Sequence, residues 1–212
     1  MYKLFYSPRN ASWAIHLLLE DLGLDYELVL VDRALNEHKS AEYLALNPTG
    51  RIPTLIHDGA ALFESCAIAL YICENHSELA PIPPLGDSLR PLCYQWLMYI
   101  AATLQPEMLV YFYPKKHITN SANAGEVRDA QAVRITEMFN FLDKQVGGND
   151  YLLGNTISIC DYFLFMVCHW ASEFKRPPIE FTNLRRVLKK LAGRPSFQKV
   201  CIIEEVDLTI YQ

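Results

Sequence analysis

Three prolines, Pro81, Pro83 and Pro84, fall within residues 79–86, and no helix or central strand runs through such a stretch. Each proline removes a backbone donor and fixes its own φ. The chain is therefore cut into two parts with separate hydrophobic rhythms, 1–78 and 88–212, joined by a linker at 79–87. In the first part, residues 3–6 have the apolar and aromatic run of a strand that ends at Ser7-Pro8. Ile15, Leu18, Leu19 and Leu22 then recur at helical spacing up to Gly23. Residues 26–31 predict a second strand, and 40–46 a second helix that must stop before Asn47-Pro48. Residues 54–57 and 61–63 flank Asp58-Gly59, a dipeptide that supplies the positive φ angles of a tight hairpin, and 65–75 resume as helix. The order βαβα followed by ββα implies parallel strands first and an antiparallel hairpin afterwards, packed against helices. That is a thioredoxin-like α/β domain.

Beyond the linker no strand pattern returns. Residues 89–111, 126–146, 159–174 and 184–192 have helical lengths separated by Gly, Pro and Asn, so the second part, 88–212, is read as an all-α domain. Ser158 stands three residues before Asp161, the spacing at which serine and carboxylate cap a helix start reciprocally.

With 51% hydrophobic residues in 212, the chain can bury a substantial core, and a formal charge of -5 gives no chain-wide attraction for nucleic acid. The basic pairs Lys115-Lys116, Arg185-Arg186 and Lys189-Lys190 read as solvated helix faces. The six cysteines show neither a CxxC pair nor zinc-ligand spacing, so reduced, buried thiols and no metal are expected. Pro8, Arg9, Asn10 and His16 break the pattern of a signal peptide, which places the chain in the cytoplasm. The greasiest run, 159–167, contains Asp161 and is far shorter than the ~20 apolar residues of a membrane helix, so no membrane association is expected.

The series Asn47-Pro48-Thr49-Gly50-Arg51-Ile52-Pro53-Thr54-Leu55, then Asp58-Gly59, then Phe63-Glu64-Ser65-Cys66-Ala67-Ile68, resembles the glutathione site of the cytosolic glutathione transferases. With the two-part architecture, the resemblance covers nearly the whole chain. It implies a cis peptide between Ile52 and Pro53 that offers the Ile52 backbone to the cysteinyl part of glutathione, as an added strand would. Without it, a trans proline opening a strand would be the simpler reading. The resemblance further implies that Glu64 and Ser65, at a helix start, hold the γ-glutamyl end, although Ser65 could also simply cap that helix. It assigns His38 to the glycyl carboxylate, with Arg51 either assisting or merely solvated.

The same resemblance places the donor to the glutathione thiolate in the loop after the first strand or at the start of the first helix. The loop Ser7-Pro8-Arg9-Asn10-Ala11-Ser12-Trp13 is most similar to that of the bacterial beta class, but Ala11 replaces the cysteine of that class. Ser12 is the nearest hydroxyl at the helix start and the first choice as donor, Asn10 the second, and Tyr6 a weaker third. Gln105 and Tyr111 lie on the helix that forms one wall of the electrophile pocket in the family. The expected function is conjugation of glutathione, as co-substrate, to small apolar electrophiles by a homodimer. A glutathione-binding regulatory module without turnover and a glutathione-dependent disulfide reductase are the alternatives.

Overall fold

The computed structural model describes residues Met1–Gln212. Its first elements are β1 (Tyr2–Tyr6), α1 (Trp13–Asp21), β2 (Tyr26–Leu30), α2 (Ala41–Leu46), β3 (Thr54–His57), β4 (Ala60–Phe63) and α3 (Ser65–Asn75). The strands form one sheet in the order β2-β1-β3-β4, with β1 parallel to β2 and antiparallel to β3, and β3 antiparallel to β4. Asp58 and Gly59 make the hairpin turn with φ of 49° and 79°, as a two-residue connection between right-twisted strands requires. Leu4 and Leu55 on the sheet, Ile15, Leu18 and Leu19 on α1, and Ile68, Ala69 and Ile72 on α3 are all fully buried.

The helical part begins with α4 (Arg90–Met98), which runs straight into a π-helical stretch, Tyr99–Leu104, and then α5 (Gln105–Phe112). The spacing predicts one uninterrupted helix here. Pro106 explains the difference, because a proline inside a helical rod cannot donate to the preceding turn, and a locally widened helix absorbs the missing bond. Then follow α6 (Ala124–Val146), α7 (Ile159–Trp170), α8 (Thr182–Ala192) and α9 (Pro195–Ile203). The start of α7 is tied as its sequence implies. The Asp161 carboxylate, fully buried, accepts from the Ser158 N–H and hydroxyl, each at 2.7 Å, and from the Leu152 N–H at 2.9 Å. The helix ends at Trp170, four residues short of the periodic pattern, in a turn over the following residues.

The chain divides into two compact units, one of Met1–Ile82 with Leu191–Ile210 and Gln212, the other of Pro83–Lys190 with Tyr211. The first cut falls inside the proline-rich segment. The return of Leu191–Ile210 to the first unit follows from α9, which the periodicity leaves unassigned and which packs against α1. Arg194 on its approach grips Asp21 through two hydrogen bonds from Nη2, at 2.9 and 2.8 Å, and Ser196 also donates to Asp21. Lys199 pairs with Glu20 at 2.8 Å. Beyond α9, the fully buried Glu204 meets His16 Nδ1 at 2.8 Å and accepts from the Arg9 N–H at 2.9 Å. Tyr26 donates to Glu20 at 2.7 Å, and burial, followed by that hydrogen bond, raises its phenol well above the ordinary tyrosine value.

Candidate functional site

Strand register decides where the site lies. Thr54 pairs with Phe63, so Pro53, one residue earlier, and Glu64, one residue later, leave the same end of the β3–β4 hairpin. Phe5 pairs with Thr54 and Tyr6 with Leu30, which brings the loop after β1 and the segment after β2 to that end as well. The pieces expected to touch the ligand at 10–12, 38, 51–53 and 64–65 therefore all issue from one end of the strands.

The Ile52–Pro53 bond is cis. Ile52 precedes the β1–β3 ladder, which runs from Thr54, and its side chain packs with Val31, Tyr43 and Phe5 in a small cluster beneath the loop. The loop is held from behind by residues that the sequence reading leaves without a role. Asn47, almost completely buried, donates from Nδ2 to the Arg51 carbonyl at 2.8 Å and to Thr54 Oγ1 at 3.1 Å. Tyr43 donates to the same carbonyl at 2.7 Å. Lys39 donates to the Gly50 carbonyl at 2.9 Å. Gly50, at φ +58°, has no room for a side chain, since a Cβ there would lie 2.9 Å from the His38 carbonyl oxygen. Asn47 opens the series that resembles the glutathione site but has no role of its own in the sequence reading, whereas here its side chain holds the Arg51 carbonyl.

Glu64 is exposed and lies at φ +70°, an unusual conformation for a residue with a side chain, immediately before α3. It occupies the N-cap position but makes no side-chain cap, and Ser65 is the first helical residue and not the cap. The leading amides of α3 thus have no side-chain acceptor, which suits them to a carboxylate. His38 sits half-buried in the short turn Glu37–Lys39, and the Arg51 side chain is exposed.

In the loop after β1, Ser12 is completely buried. Its hydroxyl donates to the Ser7 carbonyl at 3.3 Å and accepts from the Ser7 N–H at 3.4 Å, and it makes no cap bond to α1. Asn10 is half-buried, with Oδ1 accepting the Ala11 N–H at 2.8 Å, an arrangement that leaves Nδ2 as a donor on the loop. Arg9 takes φ +59° while its N–H is held by Glu204. Tyr6 is half-buried; burial and then the nearby Glu204 push its phenol up, so it stays a protonated donor.

A family model described as the glutathione S-transferase N-terminal domain matches residues 2–74, and one described as its C-terminal domain matches 99–195. A relative from Xanthomonas campestris, "Glutathione S-transferase GST-4.5", is 30% identical over 81% of this chain and 83% of its own. The chain belongs to the glutathione S-transferase family. A second member, "Glutathione S-transferase GstA" of Escherichia coli O157:H7, is 27% identical over 92% of this chain and 95% of its own. A sphingomonad glutathione S-transferase solved in complex with glutathione superposes with TM-score 0.83 at 27% identity, covering 97% of this chain and 100% of that one. The family-level fold, a thioredoxin-like domain followed by helices, is that of this chain.

The helical unit carries Gln105 and Tyr111, six residues apart and about 9 Å along α5. Both are half-buried. Tyr111 rests against Phe174 with ring centres 4.2 Å apart and against the edge of Phe112 at 5.3 Å. Next to it, Phe112, Tyr113, Lys116 and Arg128 border a cleft of about 470 Å³. No group of three or more His, Cys, Asp or Glu side chains is placed to hold a metal ion.

Proposed function

We propose that this family member binds glutathione at one end of the strands of its first unit and transfers the glutathione sulfur to small apolar electrophiles. The observation that carries the reading is the pairing of the cis Ile52–Pro53 loop with an uncapped helix start at Glu64, both issuing from one end of the β3–β4 hairpin. Each offers a different part of the tripeptide what it lacks. The Ile52 backbone takes the cysteinyl amide and carbonyl as an added strand would. The first amides of α3 take the γ-glutamyl carboxylate, and Glu64 takes the neighbouring ammonium. His38, with Arg51, takes the glycyl carboxylate.

Lowering a free thiol of pKa about 8.5 by roughly two units requires on the order of 2.7 kcal/mol of preferential stabilisation of the thiolate. The loop 7–13 supplies it in this reading, with Asn10 Nδ2 as the donor closest to the surface and Ser12 as the hydroxyl that shapes and polarises the loop from within. No protein cysteine is needed, and the reaction is an attack by a positioned thiolate with no covalent enzyme intermediate. Gln105 and Tyr111 contribute to the acceptor pocket. A homodimer in the cytoplasm fits the reading, with the exposed Tyr94 and Met98, one turn apart on α4, available for a second copy to cover.

The test is retention on immobilised glutathione followed by conjugation to a chlorinated dinitrobenzene and by reduction of a small disulfide. Conjugation with little disulfide reduction is the expected result, and retention without either reaction would make the chain a binding module. Asn10→Ala and Ser12→Ala should each keep glutathione retention and lower kcat about tenfold, with the thiolate pKa of bound glutathione raised in ultraviolet titration. An unchanged thiolate pKa in both variants would remove this loop from the reaction.

A further inference from the structure

Cys93 on α4 and Cys160 on α7 are both completely buried, and their sulfurs touch at 3.8 Å. The two helices pack against each other within the helical unit, and the Cys160 thiol donates to the Cys93 carbonyl oxygen at 3.2 Å, which fixes its side chain toward its partner. All six cysteines of the chain are free thiols. A disulfide places its sulfurs about 2.0 Å apart, so closing this contact asks for roughly 1.8 Å of movement, within reach of side-chain rotation and a small helix shift.

We propose that Cys93 and Cys160 are a peroxide-sensitive thiol pair whose oxidation closes a disulfide between α4 and α7. The proposal is independent of the transferase reading, since neither cysteine belongs to the site described above. The roles of the two sulfurs follow from their surroundings. The hydrogen bond from Cys160 favours the Cys93 thiolate over burial and the nearby Asp161 carboxylate, which both oppose it, and Arg90 adds to the favourable side, so Cys93 ionises more readily than an ordinary cysteine. Burial drives the Cys160 thiol well up, so it stays protonated.

Cys93 is therefore the attacking sulfur. Its thiolate displaces hydroxide from hydrogen peroxide, giving a sulfenic acid, and the hydroxide takes up the proton Cys93 had lost to become water. The Cys160 sulfur then attacks the Cys93 sulfur, the S–O bond breaks, and the Cys160 proton leaves with the departing hydroxide as a second water. Two thiols are oxidised by two electrons in all, and one peroxide is reduced to two waters. A small oxidant is required because the site has no space for a tripeptide disulfide. Cys93 is the fourth residue of α4, whose start has no side-chain cap, so access comes from that helix end and not from the capped start of α7.

The test begins with the folded, fully reduced protein, exposed to hydrogen peroxide, then unfolded in an alkylating reagent and mapped by mass spectrometry without reductant. The expected result is a cross-linked peptide pair containing Cys93 and Cys160, a fall in free thiols from six to four, and a rise in thermal midpoint that dithiothreitol reverses. Cys93→Ser and Cys160→Ser should each lose the cross-link and the reversible shift. Sulfinic acid at Cys93 with no cross-link, a disulfide joining other cysteines, or six intact thiols under peroxide that oxidises the unfolded chain would each overturn the proposal. The mapping uses the natural protein, so it decides the matter even if a serine variant fails to fold.

Discussion

Gly50 carries a constraint that its neighbours do not share. It combines φ +58° with a Cβ direction blocked by the His38 carbonyl and the Lys39 ammonium. Gly50→Ala should therefore lower stability by about 1–2 kcal/mol from the left-handed backbone alone, measured by urea unfolding. Because the displaced loop carries Arg51 and Ile52, retention on immobilised glutathione should fall with it. Ala at Gly23, where nothing lies within 4 Å, meets only the backbone cost and should leave retention unchanged. At this scale the sequence was informative where a residue acts through its backbone. Asp58-Gly59 could be placed because turn chemistry is local, whereas the cis bond before Pro53 and the part given to Glu64 followed only from the resemblance to the family. Asn47 and Tyr43 were not legible as site residues, because their contribution is a pair of side-chain hydrogen bonds to a carbonyl four and eight residues away. Ser12 shows the reverse problem. Its type and position are right for a donor, but the sequence does not tell which way the hydroxyl turns, and here it turns to Ser7.

Among the elements, α7 is the one most fully specified by its own residues. Its apolar residues are buried all round, from Ile159 to Cys168, and its start depends on one carboxylate that satisfies three donors. Asp161→Ala should cost about 2–4 kcal/mol, because the Ser158 and Leu152 amides would remain buried without an acceptor. Asp161→Asn, keeping one acceptor oxygen, should recover about half of that loss. Thermal unfolding of the two variants tests both values, and equal stability of Asp161→Ala with the natural chain would show that the capping arrangement carries no weight. The α4–α5 rod shows what periodicity cannot see. The spacing of Cys93, Trp96, Leu97, Ile100, Leu104 and Met108 is helical throughout, and only Pro106 reports that the rod widens near Leu104. The register of the burial stripe survives while the backbone hydrogen bonds shift from α-helical to π-helical spacing.

For the molecule as a whole, the linker reading found where the first unit is left but not where it is re-entered. Residues 191–210 contain the turn Gly193-Arg194-Pro195 and a short apolar helix, and nothing local indicates that this helix belongs with α1 and not with the helices just before it. The information is in complementary pairs far apart in sequence, Asp21 with Arg194, Glu20 with Lys199, and His16 and Arg9 with Glu204. A chain ending at residue 192 should lose the fully buried Phe197, Val200 and Glu204, and with them on the order of 5 kcal/mol from the first unit. Circular dichroism melting of that truncated chain should show the sheet signal lost well below the helical one. A single coincident transition at the natural midpoint would mean that α9 is dispensable.

The return of the C-terminal segment to the first unit also sets an order in time. On a ribosome the sheet and α1–α3 emerge first, yet the Arg9 amide and the His16 ring have no Glu204 to meet until that residue has been made. At about 5–20 residues per second, the intervening stretch 83–190 takes roughly 5–20 s to synthesise. During that interval the nascent loop after β1 has an unfilled flank, while most of the helical unit, residues 83–190, is already made. A chain not yet made through Glu204 therefore presents the loop after β1 without the buried carboxylate that holds the Arg9 amide and the His16 ring.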